Sequence, residues 1–243
     1  MKRISLIVPC LNEEEAIPAF KQEIDRVFKE CLEGYAPELI FVDDGSTDRS
    51  LEMIKKMAEH SPEVKFISFS RNFGKEAAIY AGLEAATGDY AAVMDVDLQD
   101  PPSLLPDMLK AIEKEGYDCA GTRRVTRQGE PLLRSFFARA FYKTIHQISD
   151  TRIVDGARDY KLMTRPVLEA LLSLKEYNRF SKGLYEWVGF RTKWFEYENV
   201  ERVAVETKWS FFKLFLYSIE GIVAFSTAPL ALASIIGVLL SFI

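Results

Sequence analysis

Apolar positions along this chain alternate between two rhythms. RISLIVP (Arg3 to Pro9) is a short β-rich apolar run, and the stretch after it, EEAIPAFKQEIDRVFKECLE, spaces Ile17, Phe20, Ile24, Val27, Phe28 and Cys31 along one helical face. The alternation then repeats. ELIFVDDGSTD reads as a second strand ending in acids, with Ser46 or Thr47 placed to cap the helix DRSLEMIKKMAEH. VKFISFS is a third strand, and RNFGKEAAIYAGLEAAT turns through Gly74 into a helix. DYAAVMDVD is a fourth strand, PSLLPDMLKAIEKEG a helix and YDCAGTR a strand.

This β-α-β-α order predicts an α/β fold, a mainly parallel sheet with helices on both faces. Such sheets bind ligands at the carboxyl ends of their strands. Acids stand there: Asp43 and Asp44 after the second strand, Asp95 and Asp97 after the fourth. Neither G-x-G-x-x-G nor G-x-x-x-x-G-K-[ST] occurs, which disfavours dinucleotide and Walker-type phosphate binding. After Arg123 the rhythm loosens. RRVTRQGEPLLRSFFARAFYK is basic and helical in its second half, DGARDYKLMTR is a loop feeding a short strand, and KWFEYENVERVAVETKW is a strand followed by a loop. WSFFKLFLYSIEG mixes aromatic and polar residues as an interfacial helix does. GIVAFSTAPLALASIIGVLLSFI (Gly221 to Ile243) carries no charge and has the length of a membrane-crossing helix. The expected layout is therefore a catalytic domain over 1–205, a membrane-interface helix over 206–220 and a transmembrane helix over 221–243.

Bulk composition narrows this picture. The 243 residues, 48% hydrophobic and 28% charged, suffice for one sizeable core, and a net charge of −5 gives no global reason to expect nucleic acid. Cys10, Cys31 and Cys119 lie far apart without a CxxC pair, the usage of a reduced cytosolic domain. His60 and His146 have no neighbours at metal-ligand spacing, which argues against zinc. The N-terminal apolar run is too short for a signal peptide and meets Pro9 and then acids.

The sharpest chemical signal is MDVDLQDPP. Two carboxylates one residue apart at a strand end suit a hard divalent cation, Mg²⁺ or Mn²⁺, that takes its remaining ligands from phosphate and water. Asp97 is the direct ligand in this reading. Asp95 serves either the metal, the ribose or the sugar-phosphate, and Gln99 is either a further ligand or a sugar contact. Asp43 or Asp44 can accept hydrogen bonds from a base or ribose, while DDGSTD also reads as turn-and-cap chemistry around Gly45. Arg71 and Lys75 flank a glycine turn into a helix, which is either an anion site or a capping loop.

Five segments, LIVPCLNEEEAI, FVDDGSTD, SRNFGKEAA, MDVDLQDPP and DYKLMTR, together resemble the polyprenyl-phosphate glycosyltransferases. This is the dolichol-phosphate mannosyltransferase and bactoprenol glucosyltransferase branch of glycosyltransferase family 2. The resemblance implies a GT-A, Rossmann-like fold and inverting hexose transfer to a polyprenyl phosphate at the cytosolic membrane face. UDP-glucose is the favoured donor; UDP-GlcNAc, UDP-galactose, GDP-mannose and an aminoarabinose donor stay open. A sugar-nucleotide-binding membrane module without turnover is the alternative from another class, and the missing Q-x-x-R-W argues against a processive synthase. By residue, the resemblance puts Pro9, Asn12, Glu13, Asp43, Asp44, Lys75, Asp95, Gln99 and Lys208 at the nucleotide sugar. It puts Asp97, Asp159 and Arg202 at the reaction centre, and Arg123 and Arg134 at the acceptor phosphate. Arg124 and Arg127 read as solvated or headgroup-facing. Arg202 to Lys208 matches a family loop, R-x-x-G-x-[ST]-K, except that Val205 replaces its glycine, where a β-branched residue resists positive φ. A homo-oligomer, a tetramer in family terms, and a second transmembrane helix beyond Ile243 are further implications.

Overall fold

The computed structural model describes residues 1–124, 154, 156–197, 223, 225, 226 and 228–242. Among these, seven strands form one sheet: β1 (Lys2–Cys10), β2 (Tyr35–Asp43), β3 (Val64–Ser68), β4 (Tyr90–Val93), β5 (Cys119–Arg124), β6 (Ala157–Thr164) and β7 (Thr192–Tyr197). The helices are α1 (Ala16–Cys31), α2 (Ser50–His60), α3 (Lys75–Ala85), α4 (Leu105–Glu115), α5 (Arg165–Ser173), α6 (Ser181–Trp187) and α7 (Ala228–Ser241), with a 3₁₀ turn at Pro102–Leu104.

Strand order is β3-β2-β1-β4-β6-β5-β7. Every pairing is parallel except those of β6, which runs antiparallel to both β4 and β5. Alternation along β1 sends Ile4, Leu6, Val8 and Cys10 into one core cluster and Ile7 into the other. Both faces of the sheet are thus apolar and both are covered. On the first face lie Phe20 and Ile24 of α1, Ile54 of α2, and Met108 and Ile112 of α4. On the second lie Ile79 and Leu83 of α3, Leu168 and Leu171 of α5, and Leu184 of α6.

Several expectations change. The strand expected to be short in DGARDYKLMTR is eight residues long and sits inside the sheet. The fourth strand ends at Val93, so Asp95 and Asp97 lie in the loop beyond it. Ser46 and Thr47 do not cap the second helix, which begins at Ser50 without a side-chain cap from Arg49. Their role is to join two loops: Ser46 Oγ accepts from the Asn12 amide at 2.9 Å, and the Thr47 amide donates to Asn12 Oδ1 at 2.7 Å. The β1–α1 and β2–α2 turns run side by side, and amides left open by one are satisfied from the other. The expected transmembrane helix over 221–243 is also shortened. α7 has 14 residues, about 21 Å of helix, against roughly 30 Å of hydrocarbon. Among the described residues no helix is long and apolar enough to cross a membrane. The expected interface helix over 206–220 lies outside the described residues.

The sheet contains one buried acid far from its carboxyl edge. Glu38 on β2 accepts from Lys65 Nζ at 2.6 Å, the Thr87 amide at 2.9 Å, Thr87 Oγ1 at 2.6 Å, and the Ser5 hydroxyl. Burial pushes this carboxyl up, but Lys65 and the other donors outweigh it and hold its pKa down at about 2, below the ordinary 4.5. A depressed folded pKa contributes stability above the unfolded value that is lost as pH falls toward the folded one. Glu38→Ala is therefore expected to cost about 2–3 kcal/mol at neutral pH, since four donor groups lose their acceptor. It should also flatten the fall in stability between about pH 4.5 and 2. Urea midpoints across that range, for both proteins, check it.

Candidate active site

Strand register builds the site. Val93 on β4 pairs with Lys161 on antiparallel β6. Continued by two residues, the same register sets Asp95 opposite Asp159, although sixty-four positions of sequence separate them. Between the two carboxylates stands Lys75, the first residue of α3. Its ammonium donates to Asp159 Oδ2 at 2.5 Å and lies 2.6 Å from Asp95 Oδ1. Burial works against all these charges. For Lys75 the two carboxylates more than compensate and raise its pKa well above the ordinary lysine value. For Asp159, burial is outweighed chiefly by Lys75 and then Lys182, and the carboxyl is held well below 3.8. Asp159 is thus a fixed anion. Lys182 of α6 stands 3.9 Å from its other oxygen.

A second cation closes the acidic loop. Arg158 Nε donates to Asp100 Oδ1 at 3.0 Å, and its Nη2 lies 4.0 Å from Asp95 Oδ2. The Tyr197 hydroxyl, at the end of β7, donates to the same Asp100 oxygen. Asp100 is buried, so the third acid of MDVDLQD is structural. Leu98 sits at φ 56, a left-handed turn that a leucine adopts only at a cost, and packs against the core. The turn lets the Gln99 amide donate to Asp97 Oδ1 at 3.2 Å and leaves Asp97 partly exposed at the sheet's carboxyl edge.

The nucleotide side has a different construction. Asp43 and Asp44 are both buried. Asp44 accepts from the Phe73 amide at 2.7 Å and the Gly74 amide at 3.0 Å, so it caps α3. Burial nevertheless pushes its carboxyl above the ordinary value. Asp43 accepts from the Ser46 amide at 3.3 Å and the Ser68 hydroxyl at 3.4 Å. Both acids thus hold turns of the loops around DDGSTD. Gly45 makes it possible: at φ 75, a Cβ there would lie 2.6 Å from the Arg71 carbonyl carbon. The turn before α3 is likewise a capping loop. Asp44 takes its open amides, Lys75 points to Asp95 and Asp159, and the Arg71 guanidinium lies 4.0 Å from the Phe73 ring centroid. Asn12, at φ 55, and Glu13 line the adjoining turn, and Pro9 lies on β1 beside Val42.

Arg123 on β5 is paired with Glu196 across the sheet. Arg134, Arg202, Val205 and Lys208 lie outside the described residues. Among the described residues no three of His, Cys, Asp and Glu converge as a self-sufficient metal cage. Asp97, Asp95 and Gln99 are oxygen donors at a strand end. They fit a hard divalent ion that draws most ligands from phosphate and water, and not one caged by protein. Sequence reasoning missed Arg158, Lys182, Asp100 and Tyr197. Only the antiparallel placement of β6 brings the first of these to the acids.

The glycosyl transferase family 2 domain matches residues 5–172. The chain belongs to glycosyltransferase family 2. It is a glycosyltransferase, and several of its curated relatives are named bactoprenol glucosyl transferases. This family 2 enzyme is 41% identical over 239 residues to the prophage bactoprenol glucosyl transferase homolog of Escherichia coli strain K12, covering 98% of this chain and 77% of that protein. It is also 41% identical over 241 residues to the bactoprenol glucosyl transferase of Shigella phage SfV, covering 99% and 78%. Among solved structures, glucosyl-3-phosphoglycerate synthase from Mycobacterium tuberculosis, in complex with Mn²⁺ and UDP-glucose, aligns with a TM-score of 0.55 at 19% identity, over 89% of this chain and 75% of that one. The mannosyltransferase PcManGT from Pyrobaculum calidifontis, in complex with GDP-mannose and Mn²⁺, aligns at 0.54 and 21% identity, over 84% and 57%. Both likenesses show the shared GT-A fold of this family 2 transferase.

The ion-pair geometry yields a test with a sign. In the native protein Asp159 contributes stability above its ordinary pKa of 3.8, lost only as pH falls below it. Lys75→Met leaves Asp95 facing Asp159, with Arg158 and Lys182 nearby at 4.0 and 3.9 Å but outside hydrogen-bond reach. Repulsion and burial then favour protonation, and stability should rise as pH falls. The variant should lose about 2 kcal/mol at pH near 8 and recover part of it by about pH 5. Denaturant midpoints at both pH values decide this; a loss independent of pH would refute the clamp.

Proposed function

We propose that this glycosyltransferase moves a hexose, glucose from UDP-glucose, to a polyprenyl phosphate at the cytosolic face of a membrane, with inversion. The observation that carries the acceptor class is the 41% identity, over nearly the whole chain, to proteins named bactoprenol glucosyl transferases. The site agrees with that chemistry. A phosphate monoester is already ionised near neutral pH, so its oxygen attacks the anomeric carbon without a strong general base. The C–O bond to the donor breaks, and its electron pair stays on the departing diphosphate. Asp159, held ionised by Lys75, orients substrate hydroxyls or the acceptor and need not take up a proton.

Asp97, with Asp95 and Gln99, would hold the divalent ion, Mg²⁺ or Mn²⁺, which supplies positive charge to the donor diphosphate. Support for a metal comes from these oxygen donors and from the Mn²⁺ named in both structural neighbours. Pro9, Asn12 and Glu13 line the nucleotide's wall, and Asp43 and Asp44 set that wall by fixing the loops. Arg202 and Lys208 close over the diphosphate. Arg123, exchanging Glu196 for phosphate, and Arg134 receive the acceptor. The apolar segment 221–243 meets the lipid: Leu230, Ile235, Val238, Leu239 and Leu240 of α7 are all largely exposed, and such an apolar face favours a bilayer surface. Homo-oligomers would form through the same membrane-proximal segments.

The test offers purified protein UDP-glucose, UDP-GlcNAc, UDP-galactose and GDP-mannose with undecaprenyl phosphate and Mg²⁺ or Mn²⁺. Nucleoside diphosphate release and lipid-product mass are followed. One donor should yield lipid-linked sugar, and Asp97→Asn should lower turnover by about a hundredfold or more. Absence of lipid-linked product from every donor, in the native chain and in Val205→Gly alike, would overturn the acceptor assignment.

A further inference from the structure

α6 is bolted to β6 by two ion pairs of reversed order. Asp159 and Lys161, two apart on the strand, face Lys182 and Glu186, four apart on the helix. The spacings match: two strand residues rise about 6.6 Å, and four helical residues about 6.0 Å. The two pairs are nonetheless unequal. Lys161 Nζ donates to Glu186 at 3.2 Å, is 1% exposed, and lies over the rings of Tyr185 and Trp194. That pair anchors the helix. Lys182 Nζ stops 3.9 Å from Asp159 Oδ1, beyond hydrogen-bond reach, while Lys75 takes the other oxygen at 2.5 Å.

The backbone around Lys182 is held firmly, so slack in the helix does not account for this gap. On one side, the Ser181 amide donates to both oxygens of Glu76 at 3.1 Å, and its hydroxyl donates at 2.5 Å. On the other, the Phe225 ring lies where a Cβ on Gly183 would be, 2.3 Å away. Lys182 is thus a partly buried ammonium, fixed at its base and loose at its tip. It stands one carboxylate away from Asp95 and beside the D-x-D loop.

We propose that Lys182 contacts the phosphates of the donor's nucleoside diphosphate; this inference rests on the nucleotide-sugar reading above. Lys75 and Arg158 already answer Asp95 and Asp159, so the added negative charge of an incoming diphosphate calls for a further side-chain cation. The Phe73 and Gly74 amides in the turn before α3 are already taken by Asp44. Lys182 has N–H groups to give and a short reach to give them. On sugar transfer the leaving diphosphate gains a negative charge, and a fixed cation there favours it.

The test is calorimetric titration of UDP, GDP and uridine, with Mn²⁺, into native protein and into Lys182→Met, Lys182→Gln and Lys182→Arg. Thermal unfolding is recorded for each variant. Ser181→Ala loosens the tether of α6 without removing charge. The expected result is a roughly 10- to 100-fold weaker UDP affinity in the Met and Gln variants, with uridine affinity unchanged. The Arg variant should stay within about threefold of native, and the UDP-to-uridine ratio in Ser181→Ala should not move. An unchanged UDP affinity in the folded Met or Gln variant overturns the inference. So does an equal loss for uridine, which marks Lys182 as merely structural. Native protein that binds neither UDP nor GDP removes the donor reading, and the inference with it.

Discussion

One ammonium organises this edge of the sheet. Lys75 lies between Asp95, in the loop just beyond β4, and Asp159, on antiparallel β6, and it is itself the first residue of a helix. Three elements therefore meet at a single charge, and none of the three charges is comfortable without the others. The position of Lys75 depends on the turn before it. Gly74 at φ 98 starts the helix, Asp44 accepts its open amides, and Gly45 admits the close approach of Arg71. The acids of DDGSTD thus act on the Lys75 ion-pair cluster at one remove. They hold the loop that holds the lysine.

The same economy decides how phosphate can be bound. Many nucleotide folds present a free helix N-terminus to a diphosphate. Here the Phe73 and Gly74 amides leading into α3 are taken by Asp44, and the β1–α1 and β2–α2 turns join through Asn12, Ser46 and Thr47. In the proposed reading, an anionic substrate is met by a divalent ion at Asp97 and by side-chain charge. This is a physical reason for a transferase of this kind to gather lysines and arginines from distant segments rather than use a glycine-rich cradle.

Much of the fold was legible because it is local. Period-two runs and helical spacing placed β1 to β5 and α1 to α4 near their observed bounds, and the acids stood at strand ends as expected. What was not legible depends on pairing across distance. Nothing in DYKLMT marks it as an antiparallel strand between β4 and β5, yet that placement alone sets Asp159 opposite Asp95. Ser46 and Thr47 have the chemistry of helix caps, and tertiary contact with Asn12 overrode it. Lys75 reads equally well as a phosphate ligand until two carboxylates are found against it. The apolar tail was legible as apolar, while the extent of its helix was not.

The three acids of MDVDLQD follow from one bent loop. Leu98 in a left-handed conformation reverses the chain between Asp97 and Asp100, so carboxylates that are near neighbours in sequence face different surroundings. Asp95 turns inward to Lys75 and Arg158 and is neutralised by protein. Asp100 is buried beneath Arg158 and Tyr197. Asp97 stays partly exposed at the sheet's carboxyl edge, where a carboxylate suits a hard cation. Arg158 is the hinge of this division, because it touches Asp95 and Asp100 at once. Through Tyr197 it also ties the acidic loop to the end of β7, the strand after which the chain runs toward Arg202. Removing Asp100 would therefore disturb more than packing: Arg158, released, would turn fully to Asp95 and compete there with Lys75.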